Sequence, residues 1–173
     1  MLSFREFLNE NTGTTRTTVK PKNKIELMKI IKDTIKKEGN KCDLNFIDTS
    51  LIKDMSELFY GSKFTGDISR WDVSNVEDMS CMFERSDFNG DISKWNTSKV
   101  EDMHEMFYDS KFNRDISKWD VSNVKDIYFM FSGSKFTGDI SRWDVSNVKD
   151  MHEMFYDSPL EGHEPDWYDA SIY

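Results

Sequence analysis

The sequence predicts an α/β fold, a short repeat solenoid of 24-residue units with an N-terminal helical cap. Three observations carry this expectation. All five tryptophans, Trp71, Trp95, Trp119, Trp143 and Trp167, are spaced by 24 residues. The same spacing governs Phe64, Phe88, Phe112 and Phe136, then Ile68, Ile92, Ile116 and Ile140, then the Met-Phe pairs that begin at Met82, Met106, Met130 and Met154. Each unit also passes from extended to helical hydrophobic spacing partway along. Self-similarity at a fixed period marks units too small to bury their apolar residues alone, which stack and bury each other's faces.

Taken in chain order, residues 1–23 form a leader and flexible linker. Phe4, Phe7 and Leu8 suggest a small amphipathic helix, and residues 11–23 lack apolar periodicity. Residues 24–39 are the capping helix, with Ile25, Met28, Ile31 and Ile35 as its apolar stripe and Gly39 as its stop. Residues 40–173 are the solenoid, divided into units 40–63, 64–87, 88–111, 112–135 and 136–159 and a partial unit 160–173. Within a unit, Trp71 and Val73 share one face of an extended stretch. Val76, Met79, Met82 and Phe83 then follow at helical spacing. Ser74 or Asn75 is the expected cap of that helix, and Ser98-x-x-Glu101 preserves a capping box. About two turns of helix do not persist alone and rely on neighbouring units. Gly66, Gly90 and Gly138 mark a turn, although Arg114 stands at the equivalent place. Trp167, Tyr168, Ile172 and Tyr173 are expected to close the last unit.

Charge and composition narrow the function. The net charge of -9 disfavours nucleic acid and anionic membranes as partners, since either would be repelled. Cys42 and Cys81, the only cysteines, fall at unrelated places in the period, which fits a reducing compartment. MLSFREFLNE carries charges of both signs and has no apolar core, so it does not read as a secretory signal, and a cytoplasmic location is expected.

The repeated acidic residues are the first place to seek chemistry. Asp67, Asp91, Asp115 and Asp139 form one column, Asp78, Asp102, Asp126 and Asp150 another. They lack the dense alternation of a calcium loop and read as turn, capping and solvation residues. His104 and His152 stand two units apart, so no zinc site is expected, and neither a metal nor a cofactor is assigned. No nucleophile with a neighbouring base stands out, and the near-identical units do not suggest an enzyme. Surface remains. The variable loop after the Met-Phe pair carries Glu84, Asp109, Ser132 and Asp157, with Arg85, Tyr108, Gly133 and Tyr156 nearby. Tyr60, Tyr108 and Tyr156, beside Asp109 and Asp157, are the candidate partner-binding strip; additional core is the other reading of these tyrosines.

The unit FNGDISKWNTSKVEDMHEMFYDSK, residues 88–111, and its copies from Phe112 and Phe136 resemble the bacterial surface-protein 26-residue repeat group, the BspA-like or DUF285 family. That resemblance covers about residues 40–167 and implies a leucine-rich-repeat-like solenoid, presumed to bind proteins, with no catalytic residues to transfer. The leader MLSFREFLNE is similar to leaders of T-even-type bacteriophage proteins, some of which are cut by a prohead protease after a triplet such as Leu8-Asn9-Glu10. The expected function is therefore a non-catalytic protein–protein interaction scaffold, phage-encoded and binding a host protein. The alternative is a packaged internal head protein of the virion, with its leader cleaved after Glu10.

Overall fold

Among the described residues, which run from 16 to 172 of this computed structural model, one helix forms: α1, Lys24–Glu38. The leader and its Leu8-Asn9-Glu10 triplet, like Tyr173, lie outside the described residues. Asn23 starts α1 from extended backbone, its side-chain oxygen accepting the Glu26 N–H at 3.0 Å. The Glu26 carboxylate reaches back past the cap to accept the Lys22 N–H at 2.8 Å. Gly39 ends the helix at φ 85, where a side chain would be strained, and its N–H donates to the Ile35 carbonyl at 2.8 Å.

The buried face of α1 is Leu27, Ile30, Ile31 and Thr34. This corrects the stripe read from the sequence: Ile25 is 80% exposed and Met28 43% exposed. Thr34 explains the misreading. Its hydroxyl donates to the Ile30 carbonyl at 2.7 Å, so a polar side chain enters the core with its hydrogen bond satisfied.

The α/β repeat solenoid expected from the sequence is overturned. Beyond α1 the described chain consists of turns and coil, with no strand and no second helix. Neither a leucine-rich-repeat-like architecture nor a recurring helix-and-strand unit is present among the described residues. The short helix expected from Val76 to Phe83 fails at the backbone. Cys81 and Arg85 sit at φ 53 and φ 52, and a left-handed residue cannot continue a right-handed helix. Amide partners alternate instead. Met82, Glu84 and Ser86 donate three residues back, to Met79, Cys81 and Phe83, while Cys81, Phe83 and Arg85 donate to His104, Met106 and Tyr108. A spacing of three and seven residues suits this chain of tight turns as well as it suits a helix.

The extended stretch fails for a different reason. Among the described residues parallel pairing is confined to isolated bridges, Val19 to Ile47, Asp43 to Asp67, Asp54 to Asp78, Asp78 to Asp102, Asp102 to Asp126 and Asp126 to Asp150, which never lengthen into a ladder. Aspartate side chains, in the column of Asp78 and in a third one made by Asp72, Asp120 and Asp144, turn the chain locally. Asp72 accepts both the N–H and the hydroxyl of Ser74, at 3.0 and 2.6 Å, and Asp78 does the same for Ser80 at 2.9 and 2.6 Å. Ser74, read as a helix cap, is thus a donor into an Asx turn.

The 24-residue spacing instead sets a hydrogen-bond register. The indole Nε1–H of Trp71, Trp95, Trp119, Trp143 and Trp167 donates to the carbonyls of Leu44, Ile68, Ile92, Ile116 and Ile140, at 3.0, 3.3, 3.1, 3.2 and 3.0 Å. Asn75, Asn123 and Asn147 donate in the same sense to Ser50, Ser98 and Ser122. Inside, Phe59, Phe83, Phe107, Phe131 and Phe155 form a file of near-parallel rings with centroids 5.5, 5.7, 5.7 and 6.1 Å apart. Phe64, Phe88, Phe112 and Phe136 form a second file at 6.1, 6.4 and 6.3 Å. Each fully buried ring contributes about 1.5–3 kcal/mol through area alone, so these files dominate the core. At one end Val19 pairs with Ile47. At the other, Ile172 accepts the Met151 N–H at 3.1 Å and Tyr168 sets its ring edge-on to Phe155.

Candidate functional site

Two left-handed positions recur along one edge of the chain and determine which side chains line it. Glu57, Cys81, Glu105, Phe129 and Glu153 have φ of 58, 53, 51, 53 and 50. Gly61, Arg85, Asp109, Gly133 and Asp157 have φ of 59, 52, 50, 65 and 51. Only Gly61 and Gly133 adopt this conformation without cost, since an L-residue there gives up roughly 1–2 kcal/mol. Hydrogen bonds across the register hold it: the amides of Arg85 and Asp109 donate to Tyr108 and Ser132 at 2.7 and 2.8 Å.

Of the residues singled out by sequence, Tyr60 and Tyr156 are exposed, Tyr108 is half-buried, and Asp109 and Asp157 are exposed at left-handed positions. The register groups them differently from the sequence reading. Glu84 aligns with Tyr108, and Arg85 with Asp109, as the Arg85 N–H bond to the Tyr108 carbonyl requires. Arg85 joins two of the tyrosines: its Nη1 donates to the Tyr60 hydroxyl at 3.0 Å, and its guanidinium lies 5.4 Å from the Tyr108 ring centroid. Tyr108 meets Phe129 edge-on at 6.0 Å, and Phe129 meets His152 at 5.7 Å. Tyr156 is reached beyond His152, beside an open groove of about 520 Å³ that Glu153, Glu161 and Glu164 also line. Aromatic side chains and an arginine, flanked by carboxylates, thus run along one edge.

Beneath this strip lies a group that the sequence reading did not single out. Ligand-type atoms of Cys81, Glu84 and Glu105 all fall within 4.8 Å of one another. The Cys81 Sγ is 3.7 Å from His104 Nε2, and His104 Nδ1 is 2.7 Å from Asp102 Oδ1. Glu84 is 5% exposed. Burial pushes its carboxyl above the ordinary range, and the Glu105 charge adds to this, while Arg85 opposes it. Burial and then the charges of Glu105 and Glu84 push the Cys81 thiol up to about 12. His104 is raised first by its hydrogen bond to Asp102, against burial. Tyr128, which hydrogen-bonds Glu105 through its hydroxyl, is raised by that bond and by burial. The only sequence signal for this group is that Cys81 and Glu84 each depart from their column within one 24-residue segment.

A family described as "Mycoplasma protein of unknown function, DUF285" matches residues 27–111 and 88–167, most of the chain, and this protein belongs to it. No curated protein and no solved structure matches the chain. No helix among the described residues is long and apolar enough to cross a membrane.

Proposed function

We propose that this protein is a non-catalytic protein–protein interaction scaffold whose contact face is the strip from Tyr60 through Arg85 and Tyr108 to Tyr156. The observation that carries the reading is the linked set Tyr60–Arg85–Tyr108, held at the surface by left-handed turns. Tyrosine and arginine are over-represented among residues that dominate interface energies, because each combines large contact area with directional hydrogen bonding. The strip is pre-ordered by its backbone, which lowers the entropy lost on binding. Carboxylates at Asp109, Glu153, Asp157 and Glu161 flank it and favour a partner segment with basic side chains.

In this reading the protein is phage-encoded, works in the host cytoplasm and engages a host protein. Affinity capture from host lysate with the full chain, read by mass spectrometry, tests it. One stoichiometric partner is expected, weakened about tenfold or more by Tyr60→Ser combined with Tyr156→Ser, both exposed positions whose change spares the core. Recovery of no partner from a folded bait, or equal capture by the variant, overturns the reading. The Leu8-Asn9-Glu10 triplet favours a second one, a virion head protein. Chains beginning at Asn11 in purified particles would support it, and absence from particles would reject it.

A further inference from the structure

We propose that Cys81, Glu84, His104 and Glu105 form a binding site for one divalent transition-metal ion of the zinc class. Three donors, a sulfur and two carboxylates, already converge within 4.8 Å. The register sets Cys81 beside Glu105, its N–H donating to the His104 carbonyl at 2.9 Å, and the fourth donor, His104 Nε2, lies next to the Cys81 sulfur. A tetrahedral ion with metal–sulfur and metal–nitrogen distances of about 2.3 and 2.0–2.1 Å separates those donors by about 3.5 Å. The observed separation of Sγ and Nε2 is 3.7 Å. The imidazole also has its outer partner. Asp102 Oδ1 holds Nδ1 at 2.7 Å, leaving Nε2 directed at the sulfur, the arrangement in which a carboxylate orients a metal-binding histidine.

The donor set selects the ion. Hard cations such as calcium and magnesium take oxygen ligands, whereas thiolate with imidazole and carboxylate suits zinc and its borderline neighbours. The electrostatics agree with a missing positive charge. Glu84 and Glu105 place two carboxylates together, one of them buried, and the adjoining cation is Arg85, 3.3 Å from Glu84 with half its side chain exposed. Buried like charges are costly unless a cation lies between them. Corresponding positions elsewhere on the edge lack the full set: Glu57, Tyr60 and Ser80 precede it, Tyr108, Tyr128 and Phe129 follow it, and His152 and Glu153 recur beside Phe129 and Ser132 without the cysteine or the buried glutamate. Cys81 and Glu84 are therefore the departures from the 24-residue pattern that complete the cluster.

Cobalt(II) titration of the chelator-treated full chain tests the site, because a thiolate ligand produces a near-ultraviolet charge-transfer band. One equivalent is expected to saturate that band, and zinc is expected to displace it. Cys81→Ser should abolish the band, while Cys42→Ser, altering the only other cysteine, should preserve it. Asp102→Asn should weaken affinity by about 10–100-fold through loss of histidine orientation. Glu84→Gln gives a near-isosteric second probe and should weaken binding even if Cys81→Ser fails to fold. Absence of the band in the wild-type chain, or undiminished affinity in a folded Cys81→Ser or Glu84→Gln variant, overturns the assignment.

Discussion

Single positions on the turn edge carry conformational costs that substitution can expose. Asp109 holds φ 50 at a place where the next segment has Gly133 at φ 65. Releasing an L-residue from that region gains roughly 1–2 kcal/mol, and glycine gives back about 0.5–1 kcal/mol in chain entropy. Asp109→Gly is therefore expected to stabilise the fold by about 0.5–1 kcal/mol, seen as a higher urea midpoint at unchanged slope. A lower midpoint would mean that the Asp109 side chain contributes more than its conformation costs. Gly66 is the opposite case. A Cβ there would lie 2.0 Å from the Cys42 carbonyl oxygen, a backbone atom, whereas at Gly138 the nearest atom is in the Phe136 ring at 2.5 Å. Overpacking costs about 1–3 kcal/mol; Gly66→Ala belongs at or above the top of that range and Gly138→Ala below it. Arg114, at the equivalent place, shows that a side chain can be accommodated where only a ring must shift. Equal urea midpoints for the two variants would contradict this ordering.

At the scale of elements, α1 depends on its cap. Asn23→Ala removes the acceptor of the Glu26 N–H and should cost about 1 kcal/mol, measured by chemical denaturation; no change would mean that water serves the amide equally well. The cap of α1, Asn23, is supplied by the structure, while the end of the helix was legible because Gly39 is a residue whose chemistry stops helices. Its buried face was not, because Thr34 enters the core while Ile25 and Met28 stay outside. The turn edge misled the reading more thoroughly. Left-handed backbone normally announces itself through glycine or asparagine, yet here Glu57, Cys81, Glu105, Phe129 and Glu153 adopt it. With no such signal, the spacing of Met79, Met82 and Phe83 reads as a helix. Burial itself was readable: Phe83, Phe88, Phe107 and Phe131 are all inaccessible to solvent. In the candidate site, the sequence left Tyr60 and Tyr156 open between surface and core, and the structure exposes both. The meeting of Cys81 with Glu84, Glu105 and His104 could not be read there, since it depends on which carbonyl the Cys81 amide finds in the next segment.

For the whole molecule, aspartates bonded to a following serine shape the response to pH. Asp91, Asp115, Asp139, Asp144 and Asp169 are held below the ordinary carboxylate range by hydrogen bonds from the serine two residues on. A carboxylate whose pKa is lower folded than unfolded contributes stability that is complete above the unfolded value and lost as pH falls through the folded one. These turns therefore weaken together below about pH 4. His104 acts in the opposite sense: its pKa is raised first by Asp102, so its contribution is present in acid and fades as pH rises through the raised value. Asp126 is raised by burial, with the charges of Asp102 and Asp150 adding and His104 opposing, and its Oδ1 still accepts the Tyr128 N–H at 3.0 Å. Its ionised form is thus disfavoured in the fold, and that penalty grows as pH rises through its raised value. The melting temperature of chelator-treated protein should pass through a maximum between about pH 4 and about pH 7 and fall on the acid side. Asp126→Asn keeps the oxygen that accepts the Tyr128 amide and removes the charge. It should raise the melting temperature at neutral pH and leave the acid limb, set by the serine-bound aspartates, in place. A neutral melting temperature that drops in Asp126→Asn would show that the Asp126 charge, through His104, favours the fold more than its burial and its two acidic neighbours oppose it.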